Sequence, residues 1–482
     1  MSDKIKTTAL PTSNVNQRFV DVALFISFFA FFSLTLYNGV GGVESYGNST
    51  KFQYIGTILG VPHSPGFPLY VILNFLWTYL PLPISVATKI SLLSATFATA
   101  ALVFFRRALF LLGTDTFPAL VATIALGLSR IFWIRATESG TMAMSYFLVS
   151  AILFFFIKYS LKKDNKNLFI SVILTFIAAF HAPICLWLLP LALLFLIFVR
   201  PSAWLKPIPW LAVSFGLIIT AALCFFIFIR SHQHAPILEY VYPNTSFKRV
   251  FLTMLNAQFW PNYFFASPKI IFLQRLPQLV KESSGQLTIA VYFFSIAGVI
   301  YLLRKSITGA LFFILIFFLS FLFKAHLYSS NLLGEFWLFF ILTAFLCGLG
   351  LQLFHNYKKS IGSLLSLTFA LLIFFNAFSL NKDILFRKSK NDYEALLLAC
   401  TYNSNLLASD IYKWQEILRY YNFTNPYIKQ RKIKLKDNVN FYNHSTNFFI
   451  EEAVKTQLDD ARIPYFKIYS NETATLYIIN NF

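Results

Sequence analysis

Stretches of about 17 to 25 apolar residues recur from Val20 to the neighbourhood of Leu380, each long enough to cross a hydrocarbon core of roughly 30 Å as a helix. In lipid, only helices and closed barrels satisfy their own backbone hydrogen bonds. Runs of this length therefore specify a polytopic helical membrane protein. Composition agrees: 57% of the 482 residues are hydrophobic and 12% are charged, against about 25% charged in an ordinary soluble domain.

A formal net charge of +20 would suit a nucleic-acid partner, but Lys and Arg also collect at the cytoplasmic ends of membrane spans. With the N-terminus inside, the inner segments hold Lys4, Lys6 and Arg18, then Arg106 and Arg107, then Lys158, Lys162, Lys163 and Lys166. Arg200 and Lys206, Arg304 and Lys305, and Lys358 and Lys359 complete the series. Every inner loop is basic, so sidedness accounts for the charge and nucleic acid is not expected. Cys185, Cys224 and Cys347 lie in apolar segments and Cys400 in the soluble part; no disulfide framework is expected. The first apolar stretch, Val20 to Val40, has no small-x-small cleavage site and reads as an uncleaved span.

Eleven spans are expected, near residues 20–39, 86–105, 117–134, 141–158, 168–181, 184–199, 209–229, 287–303, 308–323, 333–353 and 361–380. The piece from Pro68 to Leu80 is short, aromatic and bounded by prolines, and reads as a juxtamembrane helix in the outer interface. The expected organisation is a cytoplasmic segment 1–19, a membrane domain 20–380 with outer loops 40–85 and 231–286, and an extracytoplasmic tail 381–482. Sequons beginning at Asn48, Asn244, Asn422, Asn443 and Asn471 fall on the outer side. In the tail, helix-like runs (Tyr393–Thr401, Ile411–Tyr421, Asn447–Ala461) alternate with strand-like ones (Asn405–Ala408, Tyr465–Tyr469, Thr475–Ile479). A small α/β domain is the simplest reading.

The sharpest local sequence is LGVPHSPGFPLY, Leu59 to Tyr70. Its prolines and glycines cannot continue a helix, so it forms a rigid turn between two amphipathic pieces at the outer interface. Non-helical backbone at that depth is tolerated where it lines a cavity. Here the chain resembles the multipass family related to the plexin-type protein O-mannosyltransferases, within the C-type glycosyltransferase superfamily. That family's first outer loop reads Asp-Ser-Gly-Glu, about eight further residues, then Leu-Gly-Val-Ala-His-Pro-Pro-Gly-Tyr-Pro-Leu-Tyr. Looser likeness continues through ISLLSATFATAALVFF, FWIRATES (Phe132–Ser139), FIFIRS around Arg230, NAQFWPNYF and the tail segment NLLASDIYKWQEILRYY.

The resemblance implies a membrane glycosyltransferase moving a hexose, mannose in the named family, from a polyprenyl-phosphate donor to a hydroxyl of a protein or glycan at the outer face. It leaves the metal requirement and partner subunits open. One departure stands out: counting back from Gly60, the family's Asp falls at Asn48 and its Glu at Lys51. The resemblance makes a first-loop carboxylate the base that deprotonates the acceptor, and an amide at Asn48 cannot do this.

Glu44, in the same loop, and Glu138, at the outer end of the third span, are the carboxylates able to substitute. The alternatives are a solvated role for Glu44 and an ion pair with Arg135 for Glu138. His63, Lys51 and Arg230 are the candidates for holding the donor phosphate, Arg230 because a guanidinium binds phosphate oxygens bidentately. A turn-stabilising His63 and an interfacial Arg230 are the plain alternatives. Lys324, His326 and Glu335 are weaker polar candidates, and His181 reads as structural. Two rival functions remain: a non-catalytic scaffold or lipid-sugar-binding subunit, for which Asn48 and Lys51 speak, and a lipid or glycan transporter.

Overall fold

The computed structural model describes residues 14–37, 39–42, 46–182, 185, 205–233, 244–257, 271–325, 337–385, 397, 405–407, 411–430, 434–436, 448–451, 466–470 and 475–479. The molecule is an integral membrane protein built on apolar helices, with a small sheet in the tail. In chain order the first are α1 (Asn14–Leu34), α2 (Tyr46–Tyr54), α3 (Pro68–Thr78), α4 (Val86–Leu111), α5 (Thr116–Leu128), α6 (Arg130–Thr137), α7 (Met142–Lys162) and α8 (Asn165–His181). Helices Pro207–His232, Ala290–Lys305, Ile307–Ala325, Trp337–Tyr357 and Lys359–Leu380 follow. Among the described residues, six helices are individually long and apolar enough to span, and two bent pairs raise that to eight.

Each expected span other than 184–199 contains a described helix, and of 184–199 only Cys185 is among the described residues. The third span is different: α5 and α6 meet at Ser129 with a bend of 66°. Ser129 is extended (φ −62°, ψ 140°), and its hydroxyl donates to the Leu126 carbonyl. A side chain competing for backbone groups in this way interrupts a helical ladder. The break aims the end of α6, and with it Glu138, towards the loop that follows α1.

Helix Trp337–Tyr357 is the most enclosed span, with 89% of its apolar window buried, whereas Pro207–His232 and Lys359–Leu380 bury 28% each and face outward. Gly298 and Gly350 make the interior crossing possible: a Cβ at Gly298 would overlap the Leu346 carbonyl, and one at Gly350 the Phe294 carbonyl. Backbones approach this closely in membranes where small residues meet.

Arg106 is not a solvated loop charge. It lies within α4, 1% exposed, pairing with Asp21 of α1 through Nε (2.9 Å) and Nη2 and donating to Gln17 Oε1 at 2.8 Å. Arg107 Nε reaches the other Asp21 oxygen at 2.5 Å.

The tail forms a mixed five-stranded sheet of order β2-β1-β3-β5-β4, comprising β1 (Asn405–Leu407), β2 (Lys434–Lys436), β3 (Phe448–Glu451), β4 (Phe466–Ser470) and β5 (Thr475–Ile479). β1 pairs in parallel with β2 and β3, while β5 runs antiparallel to β3 and β4. The parallel β1–β2 pair needs a crossover, and helix Ile411–Thr424 lies within it. The helix-like reading from Asn447 is corrected at its start: residues 448–451 are strand β3, where Phe449 and Ile450 pair with Ile478 and Tyr477. Sheet pairing overrides the local periodicity there.

Candidate active site

The loop expected to be the first outer one leaves α1 through Gly39-Val40-Gly41-Gly42. Tyr37 N–H donates to the Thr137 carbonyl (2.9 Å), tying the loop's root to the end of α6. Gly39 and Gly41 adopt φ of 124° and 114°, a region open essentially to glycine. Gln53 of α2 fixes this shape. Its Oε1 accepts from Gly41 N–H at 2.9 Å, and its Nε2 donates to the carbonyls of Gly39 (3.0 Å) and Gly41 (3.2 Å).

Between α2 and α3 the Leu59–Tyr70 sequence makes the rigid turn expected of it. Leu59 and Phe67 sit at φ 46° and 44°, left-handed values that cost non-glycine residues about 1–3 kcal/mol each. Polar clamps hold the strained segment in place. Arg230 Nε and Nη2 donate to the carbonyls of Leu59 (2.7 Å) and Ile58 (2.8 Å), and Nη1 to Gln233 Oε1 (2.8 Å). The Ser64 hydroxyl donates to the Thr253 carbonyl at 2.5 Å, and Asn74 Nδ2 to the Phe52 carbonyl at 2.7 Å. Pro68 then opens α3, where a missing N–H costs nothing.

The His63 ring lies inside this turn, 5.7 Å from the Phe52 ring and 5.5 Å from Phe67. Phe67 in turn meets His181 edge-on at 5.5 Å, and Phe52 meets Tyr70 at 5.6 Å. The result is an aromatic wall carrying two imidazoles, one from the turn and one from the end of α8.

Glu138 is 2% exposed and terminates α6, its N–H donating to the Ile134 carbonyl. A Cβ added to Gly42 would meet Glu138 Oε2 at 2.5 Å and Ser49 Oγ at 2.6 Å. The carboxylate therefore sits against the glycine loop and α2, the helix bearing Asn48 and Lys51. The next residues are pinned as well: Ser139 Oγ lies 3.1 Å from Ser91 Oγ, and His181 Nε2 lies 3.1 Å from the Thr141 carbonyl. Because that carbonyl can only accept, Nε2 carries the proton.

Asn48, exposed, and Lys51, only 1% exposed, thus lie on the helix whose Ser49 is near Glu138, and Phe52 of the same helix packs on His63. Arg230 braces the turn through two of its N–H groups. Glu44, His326 and Glu335 lie outside the described residues, as does the side chain of Lys324. Among the described residues there is no group of three His, Cys, Asp or Glu able to hold a metal.

Sequence reasoning missed the tail's contribution. The Tyr54 hydroxyl at the end of α2 donates to Glu416 Oε2 (2.6 Å), and Arg419 Nη1 donates to Glu416 Oε1 (2.7 Å). Glu416 is fully buried. Burial first, and then the Glu416 carboxylate, push the Tyr54 phenol well above its ordinary pKa, so it stays a donor. Phe423 stacks on Tyr54 at 5.6 Å. The i,i+3 spacing of Glu416 and Arg419 was visible, but a partner 362 residues away in sequence was not.

Residues 49–205 match a known family. Its description is Protein O-mannosyl-transferase TMEM260 N-terminal domain, and the matched stretch contains α3 to α8, the turn and Glu138. A curated relative, Protein O-mannosyl-transferase tmem260 of Dictyostelium discoideum, is 26% identical over 149 residues, 30% of this chain. The aligned stretch spans 18% of that protein's length. The resemblance to O-mannosyltransferases read from the Leu59–Tyr70 sequence is borne out.

Fold likeness extends much further. ArnT from Cupriavidus metallidurans, solved with undecaprenyl phosphate bound, aligns with a TM-score of 0.60 at 12% identity, covering 97% of this chain and 98% of that one. The Archaeoglobus fulgidus oligosaccharyltransferase, solved with zinc and sulfate, aligns at 0.53 and 14% identity, covering 95% and 73%. The fold is that of the C-type glycosyltransferases.

Proposed function

We propose that the chain is a membrane glycosyltransferase moving a hexose, mannose by its TMEM260 likeness, from a polyprenyl-phosphate donor to a hydroxyl of a protein or glycan on the outer face. The observation that carries this reading is the position of Glu138, a buried carboxylate held against Gly42 and Ser49 on the loop where Asn48 and Lys51 replace the family's acids. The acid lost from α2 is supplied from α6.

In this reading Glu138 takes the proton of the acceptor hydroxyl as its oxygen attacks the anomeric carbon. The bond from that carbon to the phosphate oxygen breaks, the electron pair leaves with the polyprenyl phosphate, and the anomeric configuration inverts. Lys51 on α2 and His63 in the adjoining turn would balance the phosphate charge in this reading. Arg230 contributes chiefly by bracing the turn at Ile58 and Leu59. ArnT's bound undecaprenyl phosphate supports a lipid phosphate as the donor's leaving group.

The test is transfer from polyprenyl-phosphate mannose by the purified full chain. Glu138→Gln is expected to slow transfer by about 10²- to 10⁴-fold, the range of a positioned base, while donor binding persists. Asn48→Asp restores an acid on α2 and is expected to recover transfer in the Glu138→Gln background. A wild-type protein that binds donor yet transfers nothing would establish the scaffold reading instead. Transfer that is indifferent to Glu138→Gln would remove Glu138 from the mechanism.

A further inference from the structure

A second concave feature lies at the other end of the α7–α8 hairpin, away from Glu138, Thr141 and His181. It is a cavity of about 530 Å³ whose lining includes Lys158, Lys162 and Lys166, with Phe155 and Ile170 at its apolar end. Lys158 and Lys162 are one helical turn apart and share a face of α7. Lys163, at φ 54°, then turns the chain, so Lys166 in the first turn of α8 joins the same cleft.

Asp164 also lines the cavity, but it serves its own helix. Oδ1 accepts from Asn167 N–H at 2.7 Å and Oδ2 from Asn167 Nδ2. Three lysines therefore line the cavity against one carboxylate already engaged as a helix cap, with the Lys158 Nζ also lying 5.4 Å from the Phe154 ring. The positive end of the α8 dipole adds to them.

The distribution of polarity gives the ligand its shape. The lysines cluster towards the hairpin turn, whereas Phe155 and Ile170 lie about one helical turn further into the apolar part of each helix, roughly 5 Å deeper. A compact phosphate at the mouth and hydrocarbon along the inner edge match this gradient. A solvated basic face would need neither a concavity nor an apolar end.

We propose that this cleft binds the phosphate headgroup of an anionic phospholipid, at the membrane face opposite the Glu138 site. Basic pockets between spans on the cytoplasmic side take anionic headgroups in this way. The proposal does not depend on glycosyl transfer, because it rests on the α7–α8 hairpin alone.

The test uses the full chain in phosphatidylcholine nanodiscs with and without phosphatidylglycerol, with retained lipid and affinity read by native mass spectrometry. Combining Lys158→Gln, Lys162→Gln and Lys166→Gln is expected to weaken phosphatidylglycerol binding about 100-fold, the product of roughly fivefold per lysine. Ile170→Trp fills the cleft without altering charge and is expected to displace the same lipid. Lys358→Gln with Lys359→Gln removes basic charge from another inner segment and is expected to leave binding within about twofold to threefold. If that pair weakens binding as much as the cleft variant does, or if Ile170→Trp has no effect, diffuse surface charge explains the attraction and the proposal fails. Glycerol 3-phosphate binding as tightly as the lipid would also overturn it, by making the ligand a soluble phosphate.

Discussion

The two ends of the membrane domain bury charge in different ways. At one end, Asp21 accepts from both Arg106 and Arg107, and Gln17 takes a further Arg106 N–H. These groups bind α1 to α4 and answer one another directly. At the other end, Glu138 sits against the glycine loop at Gly42, and α2, which bears Lys51, leads into a turn with two left-handed non-glycine residues. Arg230, Gln53, Asn74 and Ser64 spend their donors there on backbone carbonyls to hold that shape. A closed ion pair serves the fold. Strain maintained by clamps around a carboxylate is a pattern that goes with a working site.

That contrast can be broken by substitution. The largest expected effect is the loss of transfer in Glu138→Gln, which should leave thermal unfolding close to wild type. Asp21→Ala should show the reverse. Leaving Arg106 buried without its carboxylate costs about 3–5 kcal/mol, to be read by unfolding in detergent, while transfer per folded molecule stays near wild type. If Asp21→Ala instead abolishes transfer in protein that remains folded, the division between the two ends fails.

Arg230→Ala should fall between these extremes. Losing charged hydrogen bonds to Leu59 and Ile58 should cost about 1.5–3 kcal/mol and release the turn, so both stability and transfer decline. Arg230→Lys should restore little, because an ammonium cannot span two carbonyls as the guanidinium fork does. Stability loss without any change in donor KM would confine Arg230 to the fold.

The smallest effect is expected at Tyr54, whose removal tests the link between α2 and the tail. Tyr54→Phe deletes the hydrogen bond to Glu416 and should cost about 1–3 kcal/mol, since the carboxylate keeps Arg419 but loses one donor. The pH dependence has a definite sign. The folded-state phenol is raised above its ordinary value of 10.0, so its contribution is complete below about pH 10 and fades as pH rises beyond that. Alkaline destabilisation measured between about pH 9 and 11 should be shallower in Tyr54→Phe. Identical slopes in the two proteins would show that Tyr54 does not carry the effect.

Much of this was legible because membrane constraints are local. Span positions follow from apolar length, and the Leu59–Tyr70 turn from prolines and glycines that cannot continue a helix. Pro68–Leu80 was read as a juxtamembrane helix, and α3 occupies Pro68–Thr78. Glu138 was visible as a carboxylate at a span end, but its partners at Gly42 and Ser49 were not, because the Ser129 bend that aims it leaves no charge or proline signal. Arg230 was legible as an outward-facing cation, yet its engagement with Leu59 and Ile58 depends on how Pro207–His232 packs beside the turn. His181 read as structural, and its bond to Thr141 agrees.

The sequence by itself determined a polytopic helical membrane protein, the basic segments at alternate span ends and a rigid first-loop turn next to altered acidic positions. Each of these follows from residue type and spacing along a single segment. Tertiary structure alone decided that the carboxylate at the end of α6 meets the glycine loop at Gly42, and that Glu416 of the tail secures α2 through Tyr54. Contacts between segments 90 to 360 residues apart depend on helix bends, close glycine crossings and the burial of polar groups that must find partners, and no local pattern encodes them.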